Sequence, residues 1–420
     1  MNSPYDVLII GGGPAGSTAA TLLAKAGRRV LVVEKERFPR FHIGESMLPN
    51  SMGTFNRLGV KEKLDQICLP KIGAEFATVC GHSQRFEFKN AYRAKYPRAY
   101  QVERATFDKV LLDHARESGA EVREETVVER FEEQAETIRV SLRAQGAGQA
   151  VNVEAKYLLD CSGRNSVVGA HFNLKSSYPT LRKLAVYANF EGVERDANIT
   201  RLVRGKAFWF WIIPITEALT SIGLVMDTAD FQALKKTPEE VLEEALREQP
   251  MMQDRMRNAR RTTKVYSTSD YSYRNSKLAG KRWLLAGDAA GFIDPIFSTG
   301  VFLAVMSGEN AADTLNAALE EPEKRLALFS RYEKRLDRVM RMYLRFVNGW
   351  YTQSFAEVFA SPTAHLQLTA AVNAVLTGDV AERFAIWWRM ELFYLVVFIQ
   401  RYFQLVPKLT LKAPLDRDIM

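Results

Sequence analysis

The chain has 420 residues, 47% apolar and 25% charged, an ordinary globular composition with material for a large core and two or three domains. Its net charge of +8 is spread along the chain without a Lys/Arg block, and no nucleic-acid recognition module appears. The three cysteines lack CxxC spacing, which argues against a zinc site or a disulfide framework. With no basic-then-apolar leader, the expected setting is a reducing cytoplasm.

In chain order, Tyr5-Asp6-Val7-Leu8-Ile9-Ile10 reads as a buried strand running straight into Gly11-Gly12-Gly13-Pro14-Ala15-Gly16 and then a helix. A Gly-x-Gly-x-x-Gly turn between strand and helix lets backbone approach a pyrophosphate, which rests on unpaired N–H groups at the helix N-terminus. Val30–Val33 is a second strand, closed by Glu34, where a carboxylate can accept from ribose hydroxyls. Gly11, Gly13, Pro14, Ala15, Gly16 and Glu34 are therefore candidate dinucleotide contacts. A site placed this early favours FAD over NAD as a resident cofactor.

Arg37–Pro49 has no periodicity and is bounded by prolines. It reads either as a surface loop or as a mobile segment covering the flavin. Lys71, between Pro70 and an apolar strand start, reads by itself as an exposed loop charge. Gln101 and Arg104 stand just before a helix for which Thr106 is the expected N-cap, where donors can meet a cofactor phosphate or sugar. His114, on the apolar face of that helix, reads as a core histidine.

Tyr157–Asp160 is a buried strand ending in the polar turn Cys161-Ser162-Gly163-Arg164, a place where N–H groups of residues such as Gly163 meet a ligand. From Leu184 to Asp227 the pattern is strand-rich and predicts an antiparallel sheet as a second layer over the flavin. Trp209 and Trp211, two apart, share one face of a strand. They make either a core stripe or a cavity wall. Trp283–Gly291 is another buried strand entering Gly287-Asp288 and an expected helix start, with Asp288 placed to accept from a ribityl or ribose hydroxyl. Asp294-Pro295-Ile296-Phe297-Ser298-Thr299-Gly300-Val301 then offers N–H groups to an anion or a flavin carbonyl.

The glycine turn, the Asp160 turn and Gly287-Asp288, in this order, resemble the two-domain FAD fold of the aromatic hydroxylases over residues 1 to about 320. Four features narrow the resemblance to the flavin-dependent halogenases. Trp209-x-Trp211-x-Ile213-Pro214 matches their W-x-W-x-I-P signature, and Lys71 before Ile72-Gly73-Ala74 falls at their catalytic lysine. Ser298-Thr299-Gly300 stands where they hold halide, and Gly44-Glu45-Ser46 resembles their flavin-covering loop. Two departures stand out. Phe208 replaces the glycine usual before the first tryptophan, and Phe297 replaces the glutamate of the tryptophan halogenases. The second disfavours free tryptophan and resembles the phenol and pyrrole types, many of which act on carrier-tethered acyl groups.

The resemblance implies a mixed α/β fold: a Rossmann-like FAD-binding domain (1–75, 100–166, 276–320) interleaved with a β-sheet substrate domain (76–99, 167–275), then a helical C-terminal region (321–420). It further implies reduced FAD (FADH2) from a separate flavin reductase, O2, and chloride or bromide held at Ser298, Thr299 and Gly300. Pro295, Gly300 and Val301 would border the flavin, and no metal is required. Hypohalous acid would pass to Lys71, while Trp209 and Trp211 keep organic substrate from the flavin. The substrate expected is an electron-rich phenol or pyrrole, free or on a carrier protein, for which a basic surface is suited. An aromatic monooxygenase, a geranylgeranyl-reductase-like flavin reductase and a flavin-bearing binding protein are the competing readings.

Toward the C-terminus, Leu326–Val347 reads as a basic amphipathic helix and Ser361-Pro362-Thr363 as a helix start. Ala385–Ile399 is strongly apolar but interrupted by Arg389 and Glu391, so no transmembrane segment is expected. A core helix or a substrate lid both fit this stretch.

Overall fold

A computed structural model describes residues 3–411 apart from 197, 362, 364 and 381–383. Of the expected helix start at Ser361-Pro362-Thr363, Pro362 lies outside the described residues, as do residues 412–420 of the C-terminal region.

The strands Tyr5–Ile10 and Val30–Val33 are buried on both faces, the reason their sequences are continuous apolar runs rather than alternating ones. They occupy the middle of a sheet in which Glu121–Arg123, Val30–Val33, Tyr5–Ile10 and Val151–Asp160 run parallel. One edge of the long strand Val151–Asp160 serves two partners. Its first half pairs antiparallel with Ile138–Ala144, and its last three residues pair parallel with Trp283–Leu285. The carboxyl ends of Tyr5–Ile10, Val30–Val33, Val151–Asp160 and Trp283–Leu285 thus lie side by side, the geometry that creates a ligand crevice.

The glycine turn feeds the helix Pro14–Lys25, which carries proline in its first turn, where a missing N–H costs nothing. Across it lies the long helix Thr299–Glu320. Their approach is close enough that a Cβ on Gly308 would sit 2.4 Å from the Ala15 carbonyl oxygen. The small residues of this second helix are what permit the contact.

The second sheet has the order Arg260–Arg261, Lys183–Glu191, Leu219–Asp227, Phe208–Pro214, Ile199–Arg204, Gly73–Thr78, Ser83–Glu87. Its neighbours are antiparallel except Ile199–Arg204 with Gly73–Thr78, which run parallel. The strand Gly73–Thr78 spans the 75/76 boundary drawn from sequence. Alternation along Phe208–Pro214 sorts its side chains between two cores. Trp209, Trp211 and Ile213 join the main core toward the first sheet, whereas Phe208, Phe210 and Ile212 pack under the helix Pro238–Glu248.

Two local expectations are corrected. Arg104–Glu117 begins two residues before Thr106, whose hydroxyl donates to Glu103 at 2.8 Å instead of capping the helix. Gly287-Asp288-Ala289 is a single 3₁₀ turn followed by the short strand Gly291–Phe292, and the helix starts only at Thr299.

The C-terminal region is helical: Arg325–Trp350, Gln353–Phe359, Leu368–Leu376 and Phe384–Gln400. Phe346, Trp350 and Phe359 interlock with Phe76 of the second sheet and with Phe297, at ring-centroid distances of 4.6 Å for Phe297–Phe346 and 4.9 Å for Phe76–Phe359. Ile386, Met390, Phe393 and Val397 face this core, while Phe384, Trp387 and Phe398 are exposed. Among the described residues no helix is long and apolar enough to cross a membrane.

Candidate active site

Where the parallel strands end, a cavity of about 630 Å³ opens, within the range of sites that enclose a cofactor or drug-sized ligand. Gly11 bends the first strand with φ +99°, and a Cβ there would stand 2.3 Å from the Cys161 carbonyl oxygen. Only glycine lets these two strand ends meet. Gly11, Gly13, Pro14 and Ala15 line the cavity, whereas Gly16 is buried within the helix beside the Gly11 carbonyl. The first N–H groups of Pro14–Lys25 have no partners within the helix and lie at the cavity. Glu34 closes its own strand, accepting from Gly12 N at 2.7 Å and Glu36 N at 2.9 Å, and borders the cavity.

Asp288 and Gly287 come from the turn after Trp283–Leu285 and line the same cavity. Burial pushes the Asp288 carboxyl up to about 6, against the pull of Arg104 and Arg164. Such a group gains from hydroxyl donors, so the site fits the sugar portion of FAD. Asp160 plays another part. It is fully buried, accepts from Ser162 N at 2.9 Å and Val168 N at 2.7 Å, and braces the turn that carries Gly163 to the cavity wall.

The segment Phe41–Ser46 forms one wall. Arg104 fixes it: its guanidinium grips Asp108 through two bonds of 2.8 and 2.9 Å and donates to the Ile43 carbonyl at 2.7 Å. Gly44, Glu45 and Ser46 all reach the cavity. Burial raises the Glu45 carboxyl above its ordinary range.

Opposite this segment, Ser298 adopts a left-handed conformation (φ +56°) and turns the chain from the 3₁₀ turn Pro295–Phe297 into the helix at Thr299. Pro295, Ser298, Gly300 and Val301 line the cavity, and Thr299 is buried beside them. Trp209 and Trp211 close this end, their ring centroids 6.0 Å apart. Trp211 Nε1 donates to Ser221 Oγ at 3.0 Å. Trp209 Nε1 donates to Tyr351 Oη at 3.1 Å, and Tyr351 donates to Asp294 Oδ2 at 2.9 Å. Asp294 in turn caps the Pro295–Phe297 turn through Ile296 N at 3.0 Å. The tryptophan strand and the Ser298 turn are therefore tied by one hydrogen-bonded chain.

Lys71 is 1% exposed, not the loop charge its neighbours suggest. It sits in a two-stranded ribbon, opposite Ala99, with Nζ donating to the Met47 carbonyl at 3.2 Å and lying 5.2 Å from the Phe88 ring centroid. Burial alone pulls its ammonium down to about 7. Lys71 and Gln101 are not on the wall of the large cavity. Gln101 is joined to it through Ser46: Ser298 Oγ donates to Ser46 at 3.1 Å, Ser46 to Thr200 at 2.9 Å, and Thr200 to Gln101 Oε1 at 2.8 Å, whereas Lys71 is tied to the carbonyl of Met47, the next residue after Ser46. Gln101 Nε2, fully buried, has no hydrogen-bond partner among the described residues.

Sequence reasoning missed Tyr351, Thr200, Tyr187 and Arg164. Tyr187 and Arg164 line the cavity, and Tyr351 orders Trp209. Arg164, within a turn already singled out, was the one with a signal. Tyr351, more than 140 residues from Trp209, carries none.

The profile of the FAD binding domain family matches residues 4–346, so the fold and the cavity belong to a flavoprotein that uses FAD. A 1H-pyrrole-2-carbonyl-(peptidyl-carrier protein) chlorinase of Pseudomonas fluorescens is 31% identical over 406 residues, covering 90% of this chain and 89% of the relative. The corresponding brominase of Pseudoalteromonas luteoviolacea is 34% identical over 326 residues, 75% of this chain and 78% of the relative. Among solved structures, the flavin-dependent brominase Bmp2 superposes with a TM-score of 0.84 at 27% identity, covering 95% of this chain and all of that one. The chain belongs to the flavin-dependent halogenases, enzymes that combine FAD with halide.

Proposed function

We propose that this enzyme chlorinates or brominates an electron-rich pyrrole or phenol carried as an acyl group on a carrier protein, using FADH2 from a separate reductase, O2 and halide. The observation that carries this reading is the pairing of Trp209 and Trp211 with the Ser298 turn at the cavity, with Lys71 buried and bonded to the Met47 carbonyl, next to the cavity-lining Ser46. The carrier-bound substrate rests on the two relatives named for peptidyl-carrier-bound pyrrole and on the net charge of +8.

When bound, reduced FAD supplies the activation of O2. The glycine turn and Asp288 hold the cofactor, and the Arg104-braced segment Gly44–Ser46 covers it. N–H groups at Thr299 and Gly300 hold halide at the helix N-terminus, where partial positive charge is available. Trp209 and Trp211 exclude the aromatic substrate from this space and leave passage only for something as small as hypohalous acid. Lys71, poised near neutrality, donates a hydrogen bond to hypohalous acid as an ammonium or takes up the halogen as an amine. The substrate ring then gains halogen, loses a proton, and water is released.

The test is mass spectrometry of pyrrolyl- and phenol-acyl carrier protein, and of the free acids, incubated with enzyme, FAD, a flavin reductase, NADH, O2 and bromide. Brominated carrier-bound product, absent without bromide and with Lys71→Ala, is expected. Hydroxylated product indifferent to bromide sinks the halogenase activity in favour of a monooxygenase. Bromination of the free acids alone sinks the carrier-bound substrate.

A further inference from the structure

At the end of the second sheet, where the strands terminating at Lys183, Arg204, Phe208 and Asp227 meet Trp350 and Tyr351, lies a second, smaller cavity of about 160 Å³. Trp209 borders both cavities and is their shared wall. The small cavity is basic. Lys183, Arg204 and Lys206 line it against one carboxylate, Asp227, which is bound to Lys183 Nζ at 2.9 Å.

Arg204 is the unusual member. It is buried, lies over the Trp350 ring at 5.2 Å from the centroid, and donates through one terminal nitrogen to the backbone carbonyls of Trp350 and Thr352. No carboxylate faces it among the described ion pairs. Burial pulls it down to about 10, so it remains a cation at neutral pH. A buried guanidinium held only by neutral carbonyls carries an uncompensated charge, which is costly unless an anion shares the space. Lys183 Nζ lies 4.0 Å from the Tyr351 ring centroid, and Lys206 is exposed at the rim.

We infer that this chamber is a second halide site, separate from the Ser298–Gly300 turn, in which Arg204, Lys183 and Lys206 hold a chloride or bromide ion against the outer face of Trp209. The three cations of its lining suit an anion, and the walls Phe208, Trp209 and Trp350 suit a weakly hydrated monovalent ion better than a strongly hydrated oxyanion. Tyr351 links the chamber to the turn: it borders the chamber, accepts from Trp209 and donates to Asp294, which caps the turn. The chamber gathers halide next to the wall behind which it is consumed. The inference rests on the halide use of the proposed function.

Crystals of the full chain soaked in sodium bromide, measured at the bromine absorption edge, test it. Anomalous density against Arg204 is expected in the native protein and is expected to vanish in Arg204→Gln. An empty chamber overturns the inference, as does density that persists in Arg204→Gln (an adventitious ion only). A parallel soak in phosphate that displaces the bromide would make this an oxyanion site and also overturns it. Because Arg204→Gln also releases the Trp350 and Thr352 carbonyls, the rim variant Lys206→Glu carries the solution arm. It is expected to raise the half-saturating bromide concentration for halogenation roughly fivefold at unchanged kcat. An unchanged half-saturating concentration counts against the site. Diffraction needs no turnover, so bromide in the chamber of a chain that halogenates nothing would leave the site standing and sink only the activity.

Discussion

Lys71 shows how much one buried side chain can hold. Its depressed pKa, about 7 against 10.5 for the free group, means that the folded state binds fewer protons than the unfolded state between those two values. Stability therefore rises with pH across that window, and the full penalty is felt below pH 7, on the order of 4–5 kcal/mol. Lys71→Met, which keeps the stem and removes the charge, is expected to raise the melting temperature most at pH 6 and least near pH 10. The same variant is expected to lose bromination by at least about a hundredfold while FAD remains bound. Unchanged FAD absorbance with lost product separates chemistry from folding. Gly11 makes the opposite point. Gly11→Ala sets a Cβ against the Cys161 carbonyl at 2.3 Å in a backbone conformation of φ +99°, and is expected to cost roughly 1–3 kcal/mol and to reduce FAD occupancy, read by urea unfolding and cofactor absorbance.

At the scale of elements, the strand Phe208–Pro214 and the turn Pro295–Phe297 are distant in sequence and act together through Tyr351. Tyr351→Phe removes the partner of Trp209 Nε1 and of Asp294 Oδ2 at once, leaving both without it in a buried setting. A loss of about 1–3 kcal/mol is expected, along with a further rise in the Asp294 pKa, now about 6, because Tyr351 is one of the groups holding it down. If the chain positions the turn, bromination falls while NADH-driven oxygen uptake continues, so the ratio of product to oxygen consumed drops. A proportional fall in both would mean that Tyr351 is only a structural strut. This coupling also marks where sequence reading stops. The glycine turn was legible because backbone geometry demands glycine there, whereas the tryptophan pair, by its strand pattern either a core stripe or a cavity wall, and the Ser298 turn stood out through the family resemblance. Lys71 looked like a surface charge because its burial comes from Met47, Phe88 and Ala99, brought together only by the ribbon. The helix expected at Asp288 became a single turn because Gly287 takes a left-handed φ of +60° and packs against Ala15 and Ala304 of the two long helices.

For the whole molecule, the proposed carrier-bound substrate would have to meet this surface. Many of the cations are paired with carboxylates, such as Arg57 with Glu309 and Asp313 or Arg345 with Glu391, and the net charge of +8 is the excess of cations over such partners. The excess remains to give a positive field that extends about 8–10 Å at physiological ionic strength. An acidic carrier protein approaching such a field is steered in its encounter, whereas a small neutral aromatic is not. Raising salt from about 50 to 500 mM shortens the screening length roughly threefold. We therefore expect kcat/KM for the carrier-bound acyl group to fall about tenfold or more over that range. The value for a free neutral phenol or pyrrole should stay within about twofold once halide is saturating and bromide is kept constant. The effect should lie in KM, because screening acts on encounter and leaves the chemistry proposed for the buried Lys71 untouched. A carrier reaction indifferent to salt would mean that docking depends on apolar contact instead. The exposed Phe384, Trp387 and Phe398 of the last helix would then be the first residues to replace.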